Sequence, residues 1–139
     1  MWDPRTGIEV QIKPYGSNDA YFEYKAKSTS SHYAKGRNEI FIEAVTDERY
    51  VVRVIVWPVC QWGKSRDLWV DYELDGGDVQ RRTILSRPQS AGQNVTDTLS
   101  SFEKYIDGTY TRCGLTFAPS LIGTTTSVER LGSVIADDL

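Results

Sequence analysis

Leu68–Leu85 reads LWVDYELDGGDVQRRTIL. Apolar and polar residues alternate along its first half. Leu68, Val70, Tyr72 and Leu74 fall on one side, and Trp69, Asp71 and Glu73 on the other. A period of two marks an extended strand. Gly76-Gly77 supports a two-residue hairpin turn, because both central positions can take positive φ. Folding the stretch about that turn pairs Leu74 with Val79, Tyr72 with Arg81, Val70 with Thr83 and Leu68 with Leu85. The opposite face then pairs Asp71 with Arg82 and Trp69 with Ile84. One register yields an apolar stripe and a cross-strand ion pair together, so the pattern selects it. Its cost is Asp75 opposite Asp78, a like-charge pair that favours a wider turn.

The same period runs through most of the chain. Ile8, Val10 and Ile12 alternate with Glu9, Gln11 and Lys13 until Pro14 and Gly16 end the run. Tyr21–Lys25 is a weaker strand. Ile40, Ile42 and Ala44 form one apolar face, and Tyr50, Val52, Val54 and Val56 another. With Thr46, Asp47 and Glu48 as a turn, Ala44 is expected opposite Tyr50, Ile42 opposite Val52 and Ile40 opposite Val54. TDTLSSFEKYIDG is the one segment that predicts a short helix, over 97–107. Thr96 or Asp97 caps its start, Leu99, Phe102 and Ile106 form its stripe, and Gly108 follows its end. Tyr110–Ala118 predicts another strand, with Cys113, Leu115 and Phe117 on one face. LGSVIADDL supplies a last short strand. Many short strands joined by polar turns predict an all-β, antiparallel β-sandwich of the jelly-roll or immunoglobulin-like type, in one domain over 1–139.

Taken in order, GIEVQI, EIFIEAVTDERYVVRVIV, LWVDYELDGGDVQRR, CGLTFAPS and LGSV resemble an uncharacterised fungal β-sandwich domain family. The matching positions are Gly7-Ile8-Glu9-Val10, Ile42-Glu43-Ala44, Asp75-Gly76 and Leu131-Gly132-Ser133-Val134. Each piece is a generic strand-and-turn signature, and only their order is informative. The resemblance implies a β-sandwich and a fungal origin, and brings no catalytic residues with it. The chain stops at Asp138-Leu139, where the resemblance implies a longer last strand.

Composition narrows the function classes. The chain has 139 residues and a formal net charge of -3, so there is no global basic footprint for nucleic acid. The first residues, MWDPRTGIEVQI, lack the basic and apolar regions of a signal peptide, and no apolar run approaches a membrane span. An intracellular (cytoplasmic or nuclear) protein is expected, with no membrane partner. Cys60 and Cys113 are far apart and follow no metal spacing, so two buried thiols are expected.

No catalytic constellation emerges. The single histidine, His32, lies in a Ser/Thr-rich loop, and one histidine with two distant cysteines does not make a zinc site. Asp71, Glu73 and Asp75 recur on one strand face about 7 Å apart, a separation that suits a glycosidase carboxylate pair. The same spacing belongs to any solvated strand face, and Arg82 gives Asp71 a structural partner. DGGD is too short for a dedicated calcium loop. No cofactor or metal is therefore expected.

The expected function is a non-enzymatic interaction or scaffold module that binds a protein partner. Two routes are open: strand addition at a sheet edge, or an exposed Trp/Arg face. Trp62, Trp69, Arg82 and Ile84 are the candidate face; Trp57 is expected to pack. A second candidate surface is the basic loop Lys25, Lys27, His32, Tyr33, Lys35 and Arg37. It holds four bases and no acid between residues 25 and 37. The acidity elsewhere argues against nucleic acid as its ligand. Alternatives from other classes are a carbohydrate-binding module, stacking sugars on exposed rings, and a self-associating structural domain.

Overall fold

A computed structural model describes residues 1–25, 40–74, 79–118 and 135–137. Within them the chain forms eleven strands and no helix. The strands are β1 (Trp2–Asp3), β2 (Ile8–Pro14), β3 (Glu23–Lys25), β4 (Ile40–Ile42), β5 (Arg49–Val56), β6 (Asp67–Glu73), β7 (Val79–Ser86), β8 (Val95–Leu99), β9 (Ser101–Ile106), β10 (Thr109–Thr116) and β11 (Ile135–Asp137). All pairings are antiparallel. The largest sheet runs β1-β2-β5-β10-β9, with β8 also paired to β5. A second sheet runs β11-β6-β7, and β3 pairs with β4.

Strand β5 is central because its sequence, RYVVRVIV, is the richest in β-branched residues. Tyr50, Val52, Val54 and Val56 are buried on one face. Strand β2 lies along the whole of one edge, placing Ile12 opposite Val52, Val10 opposite Val54 and Ile8 opposite Val56. The other edge is divided. Leu115 and Thr116 of β10 pair with Tyr50 and Arg49, while β8 takes over from Val52, opposite Leu99, to Val56, opposite Val95. Leu99 and Leu115 are almost fully buried beside them.

The expected hairpin between residues 40–44 and 50–56 does not form. Strand β4 pairs with β3, setting Ile42 opposite Glu23. The long alternating run of β2 offers β5 more matched apolar positions than the three residues of β4, so β2 wins that edge. Ile42 still reaches the core. The Thr46–Glu48 segment makes a corner instead of a hairpin turn. Asp47 takes φ of 64° there, and its N–H donates to the Phe117 carbonyl at 2.9 Å.

The expected helix over 97–107 is also overturned. Leu99 ends β8 on the edge of β5, and after Ser100 the chain runs on as β9. Asp107 and Gly108 both take positive φ, 50° and 81°, between the paired residues Ile106 and Thr109. That is a type I′ hairpin turn, for which Asp-Gly is a preferred pair. Gly108 thus serves a hairpin turn and caps no helix. The helical stripe dissolves accordingly: Leu99 is buried, Phe102 half-buried and Ile106 exposed.

The β6–β7 hairpin follows the predicted register from Leu68–Leu85 to Tyr72–Arg81. A bulge between Tyr72 and Glu73 then pairs Glu73 with Val79, where Leu74 was expected. The turn itself lies outside the described residues. Val70, Tyr72 and Leu85 belong to the same buried cluster as the apolar face of β2, β5, β8 and β10.

One polar tie crosses that cluster. The Tyr72 hydroxyl donates to Asp97 Oδ2 at 2.6 Å, and Arg81 Nη2 donates to the same oxygen at 2.5 Å. Asp97 faces Val54 across β8 and β5, so it looks from the large sheet toward the hairpin. Burial opposes ionisation of Asp97. The hydrogen bonds from Tyr72, Arg81 and Thr83, with the Arg81 charge, outweigh burial and hold the carboxyl below its usual range. Burial and the bond to Asp97 push the Tyr72 phenol well above its usual value.

A depressed carboxylate pKa stabilises the fold above the unfolded-state value of about 4, and that stability is lost as pH falls through the folded-state value. Asp97→Asn is expected to cost about 1–2 kcal/mol at neutral pH, because Arg81 loses its charged partner. The gap between wild type and variant should close as the pH drops below about 4. Urea denaturation at several pH values measures it; a gap independent of pH would show that Asp97 contributes nothing through its charge.

Candidate functional site: the outer face of the β6–β7 hairpin

The side of β6 and β7 turned away from the core carries Trp69, Asp71, Arg82 and Ile84. Their positions follow from the period-two alternation, since Val70, Tyr72 and Leu85 occupy the inward positions. Trp69 is 39% exposed and Ile84 54%. They are direct cross-strand partners, as are Asp71 and Arg82.

Arg82 organises the face. Its Nε and Nη2 donate to the two Asp71 oxygens at 2.6 and 2.7 Å, a bidentate fork. Its guanidinium carbon also lies 4.9 Å from the centre of the Trp69 ring. The hydrogen bonds from Arg82 are the main cause that lowers the Asp71 carboxyl pKa. At one end, Ser86 Oγ donates to Asp67 Oδ1 at 2.8 Å. The result is an indole and an aliphatic side chain in the open, beside a guanidinium fixed in orientation.

Strand β11 pairs along the other edge of β6, with Asp137 opposite Trp69 and Ile135 opposite Asp71. Nothing in the alternation of β6 signalled that neighbour, because β11 contributes only three residues. Among the described residues, β7 has no second strand partner.

The structure brings together three of the four predicted residues: Trp69, Arg82 and Ile84. Trp62 is elsewhere. It is half-buried and packs against the core cluster. Its loop position hid this, since a residue outside a strand has no face that periodicity assigns. Trp57, expected to pack, is 37% exposed, and its Nε1 donates to Glu9 Oε2 at 2.8 Å. Of the basic loop, Lys25 is the last residue of β3. Lys27, His32, Tyr33, Lys35 and Arg37 lie outside the described residues. Cys60 and Cys113, expected to be buried, are each only half-buried.

Residues 7–131 match the family described as a domain of unknown function, DUF7918. The chain belongs to that family. No curated protein and no solved structure matches it. The DUF7918 match spans the Gly7 start, β5, the β6–β7 hairpin and the β9–β10 hairpin. Among the described residues, no helix is long and apolar enough to cross a membrane.

The two tryptophans separate in stability measurements. Trp62→Ala removes a ring packed on the core and is expected to cost about 2 kcal/mol. Trp69→Ala removes an outward ring and should stay within about 0.5 kcal/mol of wild type. Thermal unfolding of both variants measures the difference; equal losses would contradict the assignment of Trp69 to an open face.

Proposed function

We propose that this DUF7918 chain is a non-enzymatic interaction module that binds a protein partner through Trp69, Ile84 and Arg82. The observation that carries the reading is the conjunction of exposure and order on one face. Trp69 and Ile84 are side by side and open to solvent, and Arg82 is held in place by Asp71. Tryptophan and arginine are enriched at the energetic centres of interfaces, and a pre-ordered side chain loses less entropy on binding. The partner this face suits presents an apolar side chain for Trp69 and Ile84, flanked by a hydrogen-bond acceptor for the edge of Arg82.

The architecture that supports the module is proposed to be a β-sandwich, the β11-β6-β7 sheet lying over the larger one. The shared burial of Val70, Tyr72 and Leu85 with the apolar residues of β2, β5, β8 and β10 supports it. The motif order read in the sequence supports a fungal origin. A non-enzymatic role rests on the sequence, where one loop histidine and an ion-paired Asp71 supply no base beside a nucleophile.

The face is preferred over strand addition for a physical reason. Edge β2 is already engaged: Met1 exchanges backbone hydrogen bonds with Val10, and the Tyr21 N–H donates to the Ile12 carbonyl at 2.8 Å. Strand β11 lies on β6. The outer edges of β2 and β6 are therefore already used within the chain.

Affinity capture from the native organism with wild type, Trp69→Ala and Ile84→Ser tests the reading. A partner retained by wild type and lost by both variants, at unchanged thermal midpoint, is the expected result. A partner retained equally by all three would refute it. Light scattering on the purified chain distinguishes self-association, which would appear as a dimer mass that Trp69→Ala returns to monomer.

A further inference from the structure

The divided edge of β5 leaves a cleft on the outer side of the large sheet. Strand β10 leaves β5 after Tyr50, and β8 joins it at Val52. Ser100 and Gly114 stand on the two sides of that fork. The cleft is open and measures about 530 Å³, lined by Arg49, Ser100, Ser101, Arg112, Gly114 and Thr116. Its lining holds two guanidinium groups, three hydroxyl side chains and no acid.

We propose that this cleft binds the phosphate group of a phosphorylated small molecule or side chain. The two arginines are unneutralised within the described structure. Arg5, Arg81 and Arg82 each form an ion pair with an aspartate, whereas no ion pair involves Arg49 or Arg112. Glu103 is the cross-strand partner of Arg112 but makes no ion pair with it. Glu48, next to Arg49 in sequence, accepts a hydrogen bond from the Tyr21 hydroxyl. Glu9, farther along the same outer face, is held by Gln11 and Trp57. Arg53 adds a third positive charge to this side of β5, four residues along from Arg49.

Arg49 is placed in the cleft by two contacts. Its guanidinium carbon lies 3.8 Å from the centre of the Tyr15 ring. Its Nε and Cζ also pass so close to Gly114 that a Cβ there would lie 2.8 and 3.2 Å from them. Glycine at 114 thus leaves the room beside β10 that the Arg49 side chain occupies. Two like charges brought to one cleft repel each other until an anion lies between them.

The lining selects among anions. Guanidinium groups recognise carboxylate and phosphate oxygens by paired N–H donors. Two of them supply a double positive charge, and Ser100, Ser101 and Thr116 supply further donors. That set matches a tetrahedral dianion with three terminal oxygens better than a planar monoanion with two. The volume exceeds what a bare phosphate fills and falls within the range of small-ligand sites, so the remainder holds the group that carries the phosphate.

Amide chemical shifts of the full chain, titrated at constant ionic strength, test the assignment. The probes are inorganic phosphate, glucose 6-phosphate, N-acetyl-phosphoserine amide and acetate. Saturable shifts at Ser100, Ser101, Gly114 and Thr116 are expected with the three phosphates and absent with acetate. The tighter of the two esters distinguishes a free metabolite from a modified side chain. Arg49→Gln and Arg112→Gln should each weaken binding about tenfold, the loss of one charge-assisted contact. Gly114→Ala should also weaken it while the chain stays folded, because the added methyl meets a flexible side chain. Shifts that fail to saturate, that acetate reproduces, or that persist unchanged in both arginine variants would overturn the proposal.

Discussion

Strand β5 has two edges and three principal neighbours. Its first edge is consumed by β2 over seven paired positions. Its second edge is longer than either β8 or β10 covers, so the two share it end to end. Backbone donors and acceptors beside a buried strand must be satisfied, and here two partial ladders do what one full ladder would. The rest of the architecture follows. Strand β8 brings Asp97 over the core to meet Tyr72 and Arg81, and β10 brings Leu115 and then Phe117, whose ring stacks on Tyr50 at 4.3 Å between centroids. The junction where the two ladders change over leaves a gap on the outer side.

The core joins apolar and polar restraints in one place. Apolar burial is non-directional and would tolerate several placements of the β6–β7 hairpin on the large sheet. A buried hydrogen bond is directional, and leaving Tyr72 or Asp97 without its partner would cost the desolvation of that group. The Tyr72–Asp97–Arg81 cluster therefore selects one placement among those the apolar surfaces allow. Arg81 spans the join, reaching the Thr98 carbonyl as well as Asp97. A similar device ties Tyr21 to Glu48, near the edge-to-face contact of Tyr21 with Phe117.

Legibility in the sequence followed the range of the interactions. The β6–β7 hairpin was readable because its turn, its alternation and its ion pair lie within eighteen residues of one another. Trp69, Ile84, Asp71 and Arg82 came with that register. The partner of β5 was not readable. Residues 40–44 are nearer in sequence, but β2 matches more positions, and only the assembled sheet compares the two. The segment at 97–107 failed for another reason: Leu99, Phe102 and Ile106 satisfy a helical period by coincidence, while Asp107-Gly108 carried the decisive turn chemistry. Trp62 had no strand to give it a face, so its packing depends on tertiary neighbours alone. Cleft residues Arg49, Ser100, Arg112 and Gly114 span sixty-odd positions and share no motif; their one local hint was a glycine inside an apolar strand pattern.

The β9–β10 ribbon is built differently from the central strands of the large sheet. From Glu103 to Arg112 it is exposed on both faces, and Tyr105 and Tyr110 touch each other edge to face at 5.1 Å. Such a ribbon has little apolar area buried against the body, so its opening is governed by its own turn and its own cross-strand ring pair. Its amide hydrogens are expected to exchange before those of β5. Arg112 sits at the foot of that ribbon and Arg49 on the central strand. The two walls of the cleft therefore differ in how much buried packing holds them in place.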